Sequence, residues 1–194
     1  MAQINAITEN GDEVILYENG SWNYKSEGKK IEQSEPKVNP KKMIKSSKST
    51  FLLKSSKVNM GIYMDPGKWT TKKASNNEDA EYEFQNKELD IYGMLISEKI
   101  QIPLENLRNI AVENAKSVSS DLIVENEEYR TVNGLEVLHI KMKGTIQGIR
   151  FIYFGYYYSD KSGTIQFLTY SSEDILNENT ELCEDFLNGL VKLK

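Results

Sequence analysis

Apolar and polar residues alternate along most of this chain, and that pattern predicts strands far more often than helices. Near the start, Asn10-Gly11 separates Ala6-Ile7-Thr8 from Val14-Ile15-Leu16-Tyr17, and Asn19-Gly20 separates that run from Ser21-Trp22-Asn23-Tyr24. Asn-Gly between apolar runs signals a hairpin, because a type I′ turn needs positive φ at both central residues. These residues predict a three-stranded meander. A unit this small has little core of its own, so Trp22, Tyr24 and Tyr17 are its expected docking groups.

Further along, residues 57–64 read as a strand, and Asp65-Pro66-Gly67 as a turn leading to Trp69. Residues 80–84 set Glu81 and Glu83 against Tyr82 and Phe84, the alternation of a half-buried strand. Asn86-Lys87-Glu88 turns the chain into a strand over 89–96. Pro103 then opens the clearest helix. Leu104, Leu107, Ala111, Ala115 and Val118, with Ile110 beside them, fall on one face at helical spacing. Glu105 in its first turn and Lys116 in its last suit the helix dipole.

Strands follow over 122–132, 135–143 and 149–158, hinged at Asn133-Gly134 and at Lys143-Gly144-Thr145. Asp160-Lys161-Ser162-Gly163 turns into another over 164–170. A helical region starts near Glu173. It carries Leu182, Phe186, Leu187 and Leu190 as its stripe and Gly189 as its stop.

Residues 149–158 decide the expected architecture. Ile149, Phe151, Tyr153 and Tyr157 lie on one side, and Ile152, Phe154, Tyr156 and Tyr158 on the other. A strand apolar on both faces is a covered, central strand. The expected fold class is therefore α+β. A largely antiparallel sheet of about six strands lies under helices on both faces, and the small meander is appended. The expected organisation is a meander at 1–25, a Lys-rich linker at 26–49 and a sandwich domain at 50–194.

Charge sharpens the linker reading. The chain is 194 residues long with a net charge of −5. From Pro36 to Met64 there are seven lysines and no acid. Charge runs keep segments extended and solvated, which suits a linker. A tether for an anionic partner is the sharper reading. Arginine is confined to Arg108, Arg130 and Arg150. Bidentate phosphate recognition favours arginine, so a specific nucleic-acid role is not expected.

Candidate chemistry is sparse. His139 is the sole histidine and Cys183 the sole cysteine, too few N and S ligands for an ordinary zinc site. His139 lies mid-strand with Val137 and Lys141, where a half-exposed position is expected. Glu181, Glu184 and Asp185 surround Cys183 and disfavour its thiolate. No Gly-rich phosphate loop or nucleophile elbow is written, and no metal or cofactor is expected. The acids of 125–128 and of 76–79 lack the spacing of an EF-hand loop.

The aromatic run Phe154-Gly155-Tyr156-Tyr157-Tyr158 reads first as core. Its other reading is a partner platform of Tyr156, Tyr158 and Arg150, with Trp69 as a second candidate, because Tyr, Trp and Arg dominate binding hot spots. With one cysteine, no membrane-length apolar run and no leader at the first residues, the chain as written reads as cytoplasmic. A chain trimmed of a leader would read the same way.

The stretch Gly61-Ile62-Tyr63-Met64-Asp65-Pro66-Gly67-Lys68-Trp69 resembles the opening strand and "aromatic-x-x-P-x-x-W" turn of the Mog1/PsbP-like α/β/α sandwich, including its DcrB-like branch. The helix over 104–118, the hairpin through Val132-Asn133-Gly134, the aromatic strand and the closing helix with Phe186 and Leu190 extend the resemblance over residues 50–194. Residues 6–22 look like a short β-module of bacterial proteins with a "T-x-x-G-x-x-V-x-L-x-x-x-G-x-W" pattern. The sandwich resemblance implies binding or assembly roles and no shared catalytic centre.

The expected function is a non-enzymatic binding or assembly module with a protein partner. Two alternatives stand beside it. One is a hydrolase-like enzyme using carboxylates and tyrosines. The other is an accessory protein whose Lys-rich segment is an electrostatic tether.

Overall fold

The computed structural model describes residues 3–7, 13–17, 20–24, 36–75 and 79–193. It separates two compact units, Met1–Glu35 and Pro36–Lys194. The first is an antiparallel sheet of β1 (Gln3–Ile7), β2 (Glu13–Tyr17) and β3 (Trp22–Tyr24), in that order. Val14 is buried, while Ile4 and Trp22 are exposed. Gly20, at φ 82°, supplies the left-handed residue of the second turn, and its N–H donates to the Tyr17 carbonyl. The Asn10-Gly11 turn and residues 25–35 of the expected linker lie outside the described residues.

The second unit is built on eight strands. They are β4 (Lys37–Met43), β7 (Trp69–Lys73), β8 (Ala80–Asn86), β9 (Tyr92–Glu98), β10 (Ile123–Val132), β11 (Leu135–Ile146), β12 (Ile149–Asp160) and β13 (Gly163–Ser172). Their order is β4-β10-β11-β12-β13-β9-β8-β7, with β4 parallel to β10 and the other neighbours antiparallel. A second sheet holds β5 (Phe51–Lys54), β6 (Met60–Met64) and β14 (Leu190–Lys192), in the order β14-β6-β5. The helices are α1 (Leu104–Val118), α2 (Glu173–Glu178) and α3 (Thr180–Leu187).

This corrects the expected architecture. The sheet has eight strands and is mixed, not a six-stranded antiparallel one. Its two covers are not helical layers. On one face, Ile152, Phe154, Tyr156 and Phe167 pack with Leu176, Cys183 and Phe186 of α2 and α3, and equally with Met60, Ile62 and Leu190 of the small sheet. On the other, α1 lays Leu107, Ala111 and Val112 over Leu138, Ile140, Met142, Tyr157 and Leu168. These are residues of β11, β12 and β13, and Met94 of β9 packs at their rim, so β7 and β8 lie beyond the helix stripe.

The expected linker is corrected as well. Lys37–Met43 is an edge strand, and Met43 is buried. The Asn133 side chain holds it there. Asn133 Oδ1 accepts from the Lys45 N–H, and Nδ2 donates to the Asn188 and Leu190 carbonyls at 2.7 and 2.8 Å.

Local chemistry explains several boundaries. Asn133 and Gly134 sit at φ 49° and 84°, so this pair turns β10 into β11. Gln147 and Gly148, at φ 51° and 81°, do the same between β11 and β12. The strand therefore runs through Lys143-Gly144-Thr145 and does not hinge there. The closing helical region is two helices joined at Asn179. Gly189 ends it through close approach, not a left-handed cap: a Cβ there would stand 1.8 Å from the Tyr63 carbonyl oxygen.

Glu81 pins the small sheet to the large one. It accepts from Ser55 Oγ at 2.6 Å, from the Ser56 N–H and Oγ at 2.5 and 2.7 Å, and from Ser97 Oγ. Burial pushes its pKa up, but the hydrogen bonds from Ser55, Ser97 and Ser56 outweigh that and lower it. Among the described residues, no helix is long and apolar enough to cross a membrane.

Candidate binding face

The four residues singled out from the sequence do not form one surface. Tyr156, Tyr158 and Arg150 alternate along one face of β12, but their environments differ. Tyr156 is fully buried, its hydroxyl donating to Asn188 Oδ1 at 2.8 Å and accepting from Arg130 Nη1 at 3.4 Å. Tyr158 is half-buried and donates to Asp160 Oδ2 at 3.2 Å. Arg150 is exposed and pairs with Glu173. Trp69 is buried, stacked on Phe186 with ring centroids 4.0 Å apart and 15° between planes.

Tyr156 belongs to a buried polar network. Arg130, only 7% exposed, donates to Glu128 Oε1 at 2.6 Å and to Glu184 Oε1 at 2.9 Å. Glu128 also accepts from Asn39 Nδ2 at 3.0 Å, which ties in β4. His139, opposite Tyr156 in the register, is 1% exposed, not half-exposed. Its ring meets Phe154 edge-on at 4.6 Å. Neither ring nitrogen has a hydrogen-bond partner among the described residues. Burial, then the nearby Arg130 and Lys141 charges, lower its pKa to about 3. Cys183 is fully buried, and burial pushes its thiol up to about 11.

The other face of the sheet carries the open site. Opposed residues of an antiparallel pair point to the same side. The register sets Tyr153 opposite Tyr170, Tyr170 opposite Tyr92, and Tyr92 opposite Gln85. Gln85 lies opposite Thr70, and Glu83 opposite Lys72. One row of side chains thus runs across β12, β13, β9, β8 and β7. The ring centroids of Tyr153, Tyr170 and Tyr92 follow one another at 5.8 Å, with planes 29° and 26° apart. Beside Tyr92 and Tyr170 opens a shelf of about 500 Å³, which Thr70, Lys72, Glu83 and Gln85 also line. Lys72 Nζ and Glu83 Oε2 pair at 3.1 Å.

All three tyrosines are half-buried, and none of their hydroxyls is bonded among the described residues. Burial raises the pKa of Tyr153. Burial, then Glu83, Tyr153 and Tyr92, raise that of Tyr170. Both phenols therefore stay protonated and can donate. The shelf offers aromatic surface, hydrogen-bond donors and one neutralised ion pair, which suits recognition. Sequence reading missed this face because only strand register reveals it. Tyr92 and Tyr170 lie near strand ends, far from Tyr153 in the chain. Among the described residues, no three acidic, His or Cys side chains gather at metal-binding range.

No protein-family profile and no curated protein matches the sequence. In structure, the chain is similar to cyanobacterial PsbP (CyanoP) from Synechocystis sp. PCC 6803. The TM-score is 0.55 at 13% identity, over 76% of this chain and 94% of that one. It also aligns with the protein of unknown function PA94 from Pseudomonas aeruginosa, at a TM-score of 0.47 and 8% identity, over 74% of this chain and 97% of that one. The larger unit has a PsbP-like fold.

Proposed function

We propose that this chain is a non-enzymatic accessory protein that binds a protein partner through the tyrosine shelf. One observation carries the reading: three tyrosines in register on one sheet face, Tyr153 packed at the rim of the α1 cluster and Tyr170 and Tyr92 opening onto the shelf beyond it. Tyrosine brings large contact area with few rotatable bonds and a hydroxyl that orients a partner. Residues of this kind dominate the energetics of protein interfaces. The shared fold supports the architecture and leaves function to the site.

The test removes hydroxyls without disturbing packing. Chain carrying Tyr92→Phe and Tyr170→Phe is compared with wild type in capturing partners from a lysate of the source organism. Each hydroxyl contributes about 1 kcal/mol in a formed interface. Wild type should retain a stoichiometric partner, and the double variant should bind it roughly 30-fold more weakly. Equal retention by both chains, at unchanged thermal midpoint, would refute the reading.

A further inference from the structure

We propose that the outer edge of β7 accepts an extended acidic peptide as an added strand, beside the tyrosine shelf. This names the partner class for the binding reading above and rests on it.

The backbone supplies the first argument. β7 ends the eight-stranded order, so among the described residues one side of it is paired and the other is not. The Ala74 N–H donates to the Glu81 carbonyl and the Lys87 N–H to the Lys68 carbonyl. Both pairs fit the register that sets Lys72 opposite Glu83 and Thr70 opposite Gln85. In an antiparallel ladder, hydrogen-bonded and non-bonded pairs alternate. Residues 68, 70, 72 and 74 therefore turn their N–H and C=O groups toward β8. Thr71 and Lys73 turn theirs outward. An added strand finds two consecutive docking positions there, the main-chain recognition that β-augmentation uses.

Charge supplies the second. Lys68, Lys72 and Lys73 are exposed, and residues 66–75 contain no acid. Lysines on an edge strand guard against pairing with a like copy, because an antiparallel second β7 would bring lysine against lysine. The same lysines attract an acidic strand, Lys72 by exchanging its pairing with Glu83 for the incoming acid. The opposite edge differs. β4 carries Pro40 within the strand, which removes a ladder N–H and blunts that edge. Side-chain direction supplies the third argument. Thr70 and Lys72 point to the shelf side, so alternate side chains of an added strand would continue the row that ends at Tyr92, Gln85 and Thr70.

The probe is a fluorescein-labelled, end-capped peptide of alternating Glu and Val, titrated with the full chain and followed by anisotropy. A Lys-Val peptide is the control. The Glu-Val peptide should bind, weaken with salt, and lose at least tenfold in affinity when alternate amides are N-methylated. Thr71→Pro should cause a similar loss with the thermal midpoint held, since its N–H faces outward. Lys72→Glu with Lys73→Glu should shift preference to the Lys-Val peptide. Undiminished binding by the N-methylated peptide would overturn strand addition, as would equal binding of both peptides or no binding at all. If Tyr92→Phe/Tyr170→Phe loses a captured partner that Thr71→Pro retains, the shelf remains the site and the added strand is wrong.

Discussion

Replacing Arg130 with methionine is expected to destabilise the larger unit by about 3–5 kcal/mol. The guanidinium is buried between β10, β12 and α3, and it satisfies three groups at once. Glu128 accepts at 2.6 Å, Glu184 at 2.9 Å and the Tyr156 hydroxyl at 3.4 Å. Methionine would fill much of the space, so the expected loss is electrostatic. It would leave Glu128, whose side chain is 17% exposed, as a carboxylate held by Asn39 alone. Glu184, at 32%, can turn partly to water and contributes less.

Lysine at the same position should lose roughly half as much, since it keeps the charge but not the planar fork. Urea unfolding at neutral pH reads the effect as a shift in midpoint at constant slope. A loss under about 1 kcal/mol for Arg130→Met would show that solvent already satisfies these carboxylates. A chain that also carries Glu128→Leu should recover part of the loss, because no buried charge is then left alone.

The parts of the fold legible in the sequence were those that one strand or helix specifies by itself. Residues 149–158 are apolar on both alternating sets, and Tyr156 and Tyr157 are indeed buried on opposite faces. The α1 stripe was legible in part: Leu107 and Ala111 are buried, but Val112 joins them while Ile110 and Val118, 41% and 59% exposed, do not. What failed was whatever depends on neighbours. β4 reads Lys-Val-Asn-Pro-Lys-Lys-Met, the composition of a linker, because an edge strand with solvent on most sides needs only one buried anchor, Met43. β7 reads Trp-Thr-Thr-Lys-Lys and hides for the same reason. The tyrosine shelf is harder still. Tyr92, Tyr153 and Tyr170 become a row only through two registers, and registers are set by all the strands together. Tyr156 and Trp69 illustrate the converse, since aromatic residues suited to a hot spot are equally suited to a core.

Acidification should expose the cost of burying His139. Its folded pKa, about 3, lies below the unfolded value of 6.5. The unfolded chain then takes up a proton that the folded chain refuses, so stability is complete above pH 6.5 and falls as pH drops toward 3. The limiting slope is about 1.4 kcal/mol per pH unit. The groups facing the ring explain why it stays neutral: Phe154 and Tyr156 on β12, and the Arg130 and Lys141 cations on β10 and β11. Glu128, its register partner, and Glu184 of α3 are already held by Arg130. Carboxylates also penalise acid, but their ordinary values of 3.8–4.5 place their titration lower. Between pH 6.5 and 5.5 the slope therefore belongs to the one histidine, and wild type should lose about 1 kcal/mol across that window. His139→Leu should hold its urea midpoint over the same range. At neutral pH it should match or exceed wild type, because two unbonded buried nitrogens are gone. A His139→Leu chain that weakens with acid as steeply as wild type would place the proton uptake elsewhere and show that the buried ring is charged or solvated.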